Sequence, residues 1–444
     1  MDFLPDFGNI LYTAAAFVVA LSVIVTVHEY GHYIIGRLSG IKAEAFSLGF
    51  GPTLISRTDR HGTVWKLSAI PLGGYVLFLG DANAASAGAD EETMARLSDD
   101  ERRHTMHGAP LWARAATVAA GPVFNFILSI AIFAGLAMVQ GKIAEPPQVG
   151  ALVALPEGSG GLLPGDRIVA VEGVETADYS AFEAIVEHAP ARPFLSYTVV
   201  REGVEMTVAG PQIYPPRAAG VMPQTAAYKA GIQTGDVVTA IDGAPIWRFD
   251  DLVTAVAAGK GAPMTLGLWR PEGGARLEVV LSPKITDVPQ ADGSFVTDYK
   301  IGLFAGAGFE PATVTPGPLQ ALGDGARRTW TVISSSVSAL QHMILGKISP
   351  CNLGGAIGIA KGSAAAAKAG LVDFIAFIAV LSTAVGFLNL FPVPVLDGGH
   401  LMFHLWEGIT GKPPSGKVLN LLLALGLTAV LSLMIFGLWN DLTC

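Results

Sequence analysis

The chain has 444 residues, of which 51% are hydrophobic and only 15% charged, with a mean hydropathy of +0.48. Ordinary soluble domains carry about 25% charged residues, so the composition excludes disorder and indicates a membrane protein with soluble parts. A net charge of −9 leaves no basic field for phosphate, which excludes nucleic acid as a partner and leaves membrane lipid as the surroundings.

Four segments are long and apolar enough to cross a bilayer, a task that takes about 20 helical residues: 10–27, 115–140, 374–396 and 418–440. The tail before the first has two aspartates and no Lys or Arg, the wrong start for a cleaved signal. Residues 10–27 therefore read as a retained span running straight into His28-Glu29. The next loop carries Arg37, Lys42, Arg57, Arg102, Arg103 and Arg114, which predicts a cytoplasmic loop and an external N-terminus. Lys412 and Lys417 agree; Lys361 and Lys368, just before the third span, argue the other way. Within the loop, residues 63–76 alternate and then reach Gly73-Gly74, which predicts a strand edge open to β-addition. Residues 81–107, rich in Ala, Asp, Glu and Arg, predict a mobile loop.

Between the second and third spans the chain repeats itself. Gly161-Leu-Leu-Pro-Gly-Asp-Arg-Ile-Val-Ala-Val-Glu-Gly173 aligns without a gap on Gly231-Ile-Gln-Thr-Gly-Asp-Val-Val-Thr-Ala-Ile-Asp-Gly243, at an offset of 70. A Gly-Asp turn, an alternating strand and a second Gly turn predict a small β-rich module used twice. Residues 306–318 read as a Gly/Pro linker. Residues 319–345 have helical apolar spacing with Arg327-Arg328, and predict a helix lying on the membrane surface or packed on the repeats.

The sharpest motif is His28-Glu29-Tyr30-Gly31-His32. On a helix, positions i and i+4 share a face, so two imidazoles can bind one Zn²⁺ with Glu29 beside them as proton acceptor. Hydrolytic zinc needs a third protein ligand and one open position. Asp397 is the candidate, with His400 and His404 as rivals, and Pro392 and Pro394 break the helix just before it. The two cysteines, Cys351 and Cys444, are too few for a cysteine zinc site or a disulfide framework.

These motifs together resemble the site-2 protease family of intramembrane zinc metalloproteases. HEYGH matches the family's HExxH, and Asn389…Pro392…Pro394…Leu396-Asp397-Gly398 matches its N-x-x-P-x-P-x-L-D-G. Ala120-Gly121-Pro122-Val-Phe-Asn125 fits its second-span motif, and the stretches 46–51 and 70–76 resemble its β segments. Each repeat resembles a PDZ domain of the bacterial protease type.

The resemblance implies a polytopic α-helical membrane protein with four transmembrane helices, two β-rich PDZ-like extracytoplasmic domains and a membrane-associated β segment. The implied division is a first transmembrane helix with HExxH (1–36), a cytoplasmic loop with β segments (37–111) and a second helix (112–141). Two PDZ-like domains (142–212 and 213–305) follow, then a linker with a membrane-surface helix (306–369). A third helix with the LDG motif (370–397) and a loop with the fourth helix (398–444) complete it. His28, His32 and Asp397 would hold one Zn²⁺ per chain, and Glu29 would be the catalytic base and acid. Asn389, Pro394, Gly73 and Gly74 would handle substrate, and Asn125 would stabilise the site.

The implied activity is hydrolysis within the transmembrane segments of single-span proteins, such as an anti-sigma factor or a signal-peptide-like segment, after an upstream site-1 protease. The implied location is the bacterial inner membrane, with periplasmic PDZ-like domains and the active site near the cytoplasmic side. Those domains would act as a steric filter or as peptide-capturing modules. Two other classes compete: a transporter or ion carrier, since intramembrane His and Asp also mark permeation paths, and a membrane-anchored PDZ scaffold. A transporter would show repeated, paired broken spans, whereas these four are dissimilar.

Overall fold

The computed structural model describes residues 7–82, 88–222, 225–289, 295–349, 351 and 353–443. It divides into two compact units, one comprising Met1–Leu136, Pro318–Ile344 and Ser349–Cys444, the other Ala137–Gly317 and Leu345–Ile348.

In the first unit, α1 (Phe7–Leu38) carries the apolar run onward through the HEYGH motif. β1 (Ala43–Thr58) and β2 (Val64–Phe78) form a curled hairpin, in which residues 45–48 are flanked by 64–67 and by 74–77. The expected loop at 81–107 holds two short helices, α2 (Glu91–Arg96) and α3 (Asp99–Arg102), each started by a side-chain cap, Asp90 and Ser98. Residues 83–87 of that stretch lie outside the described ones. α4 (Leu111–Gln140) is the second span. It meets α1 closely through glycine: a Cβ on Gly31 would lie 2.6 Å from the Ala120 carbonyl oxygen. Tyr33, Phe46, Val76, Phe78 and Met106 form a buried cluster beneath the hairpin, anchoring it to α1.

The second unit contains the repeat. β3 (Lys142–Ile143) and β4 (Val149–Leu152) precede a sheet of β5 (Arg167–Val171), β6 (Val174–Glu175), β7 (Phe194–Arg201) and β8 (Val204–Pro211), ordered β6-β5-β7-β8 with α5 (Tyr179–Ala184). β9 (Ala218–Val221) and α6 (Ala226–Lys229) open the second copy. Its sheet is β10 (Val237–Ile241), β11 (Ala244–Pro245), β12 (Met264–Arg270) and β13 (Ala275–Leu281), ordered β11-β10-β12-β13 with α7 (Phe249–Ala258). A hairpin, β14 (Lys284–Pro289) and β15 (Phe295–Lys300), follows the second sheet. The remaining strands differ from expectation. β16 (Leu303–Ala305) pairs with β9, while β17 (Phe309–Pro311) and β18 (Thr313–Val314) pair with β4 and β3. The stretch read as a linker thus returns to complete the first copy, and Phe309 is buried in that copy's core.

Back in the first unit, α8 (Pro318–Ile344) is the expected amphipathic helix. Ala321, Gly325 and Thr329 are buried on it, and it meets α4 at Gly325, where a Cβ would come 2.5 Å from the Ile130 carbonyl oxygen. α9 (Ala356–Ala369), not foreseen from the sequence, has its N-terminal amides capped by Asp441 (Gly355 at 3.0 Å, Ile357 at 3.0 Å, Gly358 at 3.1 Å). α10 (Leu371–Asn389) ends at Asn389 rather than at residue 396, because Pro392 and Pro394 cannot continue a helix. The LDG motif instead opens α11 (Asp397–Thr410), and α12 (Gly416–Thr443) ends the fold. Pro350, Asn352 and Cys444 lie outside the described residues. Among those described, four helices are long and apolar enough to cross a membrane: Ile10–Leu38, Leu111–Gln140, Leu371–Asn389 and Gly416–Thr443.

Candidate active site

Helical spacing on α1 puts His28 and His32 on one face, and the turn after α10 delivers Asp397 to them. That turn is tight. A Cβ on Gly398 would lie 2.3 Å from the Leu390 carbonyl oxygen, and one on Gly399 2.3 Å from that of Val393, so glycine is what lets α11 start against the turn. His28 Nε2 lies 3.1 Å from Asp397 Oδ2, His32 Nε2 3.6 Å from Oδ1, and the two Nε2 atoms are 3.2 Å apart. All three side chains offer one donor atom within 4.8 Å of the others, and neither His400 nor His404 belongs to the group.

The second ring nitrogens decide what this group can hold. His32 Nδ1 is 2.8 Å from the Thr117 carbonyl, which only accepts, so Nδ1 carries the proton and Nε2 keeps its lone pair. His28 Nδ1 is 3.1 Å from the Asn125 amide, whose Oδ1 is buried without a hydrogen bond. Exchanging the amide oxygen and nitrogen lets His28 Nδ1–H donate to Oδ1 and satisfies both groups. Two Nε2 lone pairs then face each other beside a carboxylate, an arrangement that repels itself unless a cation sits between. Two imidazoles and one carboxylate suit zinc and leave a position open.

Gly121 makes room for both rings: a Cβ there would lie 2.3 Å from His32 Nε2 and 2.8 Å from His28 Cε1. The Asn125 backbone is held in turn by α10, whose Ser382 hydroxyl donates to the Asn125 main-chain carbonyl at 2.9 Å. Glu29 stands beside the group, half-buried, with the Val76 amide as a hydrogen-bond partner of its carboxylate. Gly74, whose missing Cβ would lie 3.3 Å from Glu29 Cγ, keeps that approach open.

A cavity of about 370 Å³ joins these parts; His28, Glu29, His32, Gly74, Asn389 and Asp397 all line it. Asn125 lies behind the rings. Gly73 and Pro394 are not in the lining; the Pro394 ring packs on α12 at Gly426, and Gly73 takes a φ of +136° beneath Phe50. The segment 74–77 pairs on one side with 45–48, and its residues Tyr75 and Val76 line the cavity. Sequence reasoning missed the far wall. There Arg114 grips Glu407 in a half-buried bidentate pair (2.7 and 3.0 Å), near His107, His400 and His404. Burial, then the Arg114 charge, pushes the His404 ring down to about 4, so it stays neutral. An isolated Arg at the start of a span carries no sign of a partner nearly three hundred residues later.

Comparison with known proteins agrees with this geometry. The model of peptidase family M50 matches residues 16–433. The chain is 37% identical over 437 residues to the "Putative zinc metalloprotease R01501" of Rhizobium meliloti, covering 98% of this chain and 97% of the relative. It is 33% identical over 464 residues to the "Regulator of sigma-E protease RseP" of Salmonella typhimurium, covering 98% and 99%. The chain belongs to peptidase family M50, the site-2 protease family, and is a metalloprotease of the site-2 type.

Proposed function

We propose that this membrane metalloprotease cuts peptide bonds within the transmembrane segments of single-span proteins. The observation that carries the reading is the His28–His32–Asp397 group with Glu29, set in a cavity along an apolar helix and beside a strand edge. His28, His32 and Asp397 hold one zinc per chain. Bound there, zinc supplies a Lewis acid that acidifies water and polarises a carbonyl. Glu29 takes the proton of the attacking water and returns it to the departing amide nitrogen. Asn125 holds the His28 ring, and through it the direction of the Nε2 lone pair.

A transmembrane helix hides its amides behind internal hydrogen bonds, so it must unwind before cleavage, and the freed groups need partners. Main-chain groups of Gly73, Gly74 and their neighbours on β2 receive them, with Asn389 on the cavity wall and Pro394 keeping the turn in shape. The printed name of the Salmonella relative, a regulator of sigma-E protease, supports a membrane-protein substrate in sigma-E regulation; the substrate proposed here is an anti-sigma factor already trimmed by a site-1 protease. The two repeats are PDZ-like periplasmic modules that exclude untrimmed substrates, and the enzyme sits in the bacterial inner membrane with its site toward the cytoplasm.

The test is cleavage of a co-expressed single-span type II protein. Glu29→Gln should abolish cleavage with zinc retained, and Asp397→Ala should lower zinc content. Full cleavage by Glu29→Gln would end the reading. Deleting residues 147–303 should admit untrimmed substrate; continued rejection would remove the filter role.

A further inference from the structure

We propose that a recess at the end of α1, outside the catalytic cavity, binds the phosphate of an anionic membrane-lipid headgroup. The recess measures about 170 Å³ and is walled by Tyr33, Arg37, Lys42 and His61 among others, with no carboxylate in its lining. At about 30 Å³ per water this is room for roughly five waters, the size of a phosphate with its ester oxygens.

Arg37, Lys42 and His61 line the recess as solvent-exposed side chains. The Arg37 guanidinium donates to the Tyr33 hydroxyl (3.3 Å) and faces His61 Nε2. Among the described residues, neither Arg37 nor Lys42 forms a salt bridge.

Two carboxylates linked to this region, Asp59 and Glu101, are occupied by their own turns. Asp59 accepts from Tyr33 Oη (3.1 Å), Trp65 Nε1 (3.0 Å), and the amides of His61 (2.8 Å) and Thr63 (3.0 Å). Those bonds, Trp65's first, hold its carboxyl down at about 2, so it is a fixed charge with no capacity left over. Glu101, which attracts Lys42 from a distance, accepts from Ser98 N (3.0 Å) and Oγ (2.7 Å). Asp59 and Glu101 keep their charges, but neither forms a salt bridge with the Arg37 guanidinium or the Lys42 ammonium. Five guanidinium N–H groups suit phosphate oxygens, and only two are engaged.

Position selects a lipid over free phosphate. The candidate span ends at Leu38, one residue past Arg37, and Leu38, Leu54 and Ile55 are exposed apolar side chains of the same unit (75%, 64% and 66%). A basic recess at a span's end matches headgroup depth.

The experiment uses the full-length protein in neutral detergent, titrated with phosphatidylglycerol or phosphatidylcholine while the unfolding midpoint is followed. Phosphatidylglycerol should raise the midpoint saturably, and Arg37→Gln with Lys42→Gln should increase the half-saturating concentration at least fivefold. Arg57→Gln, an exposed charge outside the recess, should leave it unchanged. Zinc content equal to wild type verifies folding, and Lys42→Gln alone serves if the double variant misfolds. Equal half-saturation in variant and wild type overturns the proposal, as does an equal loss in Arg57→Gln. Saturation by inorganic phosphate at the same concentration would assign the recess to a free anion and overturn the lipid reading.

Discussion

The repeat and the active site are built on opposite plans. In the repeat, each copy contains its own fastening: Arg201 bonds Asp166 at 2.7 Å and the Gly161 carbonyl at 2.7 Å, while Arg270 bonds Asp236 at 2.7 Å and the Gly231 carbonyl at 3.0 Å. The active site has no second copy of anything. Its three donor side chains come from α1 and α11, its orienting groups from α4, and its wall from β2. Loss of one clamp therefore bears on its own copy, whereas loss of any member of the site bears on the whole site. Even within the repeat the plan is mixed, because the first copy's β4 is completed by β17, supplied after the second copy has ended.

Four experiments can break or sharpen that contrast. The largest effect is expected at Gly121→Ala, where the new methyl meets both imidazoles. Displacing the rings by about an ångström should cost on the order of 100-fold in proteolysis with a fall in bound zinc; normal zinc and activity would show that the rings have slack.

Next comes Phe309→Ala. Phe309 is 2% exposed in the first copy's core, so truncation should cost about 3–5 kcal/mol. Hydrogen exchange should show the loss in the first copy while β10–β13 keep their protection. Equal loosening of both copies would mean they unfold as one.

Asn125→Ala should weaken zinc binding by about 10–100-fold, the usual range for groups that orient ligands, with Asn125→Asp restoring part of it. Zinc affinity measured against a chelator decides.

The smallest effect concerns the paired clamps. The Arg201 hydrogen bond, ahead of burial, holds the Asp166 carboxyl below its ordinary value. A depressed folded pKa gives stability that is present above the unfolded value, near 3.8–3.9, and is lost as pH falls through the folded one. Acid unfolding of the first copy should therefore flatten below about pH 4 in Asp166→Asn. Identical acid profiles in the variant and the wild type would remove the clamp from the account.

The spans, the HEYGH helix and the repeat were legible because each is a local pattern: an apolar run, an i, i+4 pair, a turn–strand–turn at an offset of 70. Asp397 was legible too, since a carboxylate after an uncharged span needs a partner. The end of α10 was not placed correctly, although Pro392 and Pro394 were visible, because an apolar run continues past the last helical residue. Residues 306–318 were misread as a linker for a related reason: strands of three and two residues, paired across more than 150 positions, leave no periodicity to detect.

By itself the sequence determined the membrane class, the candidate metal-binding residues that the structure brings together and the doubling of the β module, since composition and short-range spacing are written along one stretch of chain. Tertiary structure alone decided that His32 Nδ1 faces a backbone carbonyl, that Asn125 sits behind His28, that Arg114 meets Glu407, and that Phe309 closes the first module. Each of these is a contact between distant segments. What selects it is close packing against particular glycines and the need to give buried polar groups a partner, and neither leaves a mark on neighbouring residues.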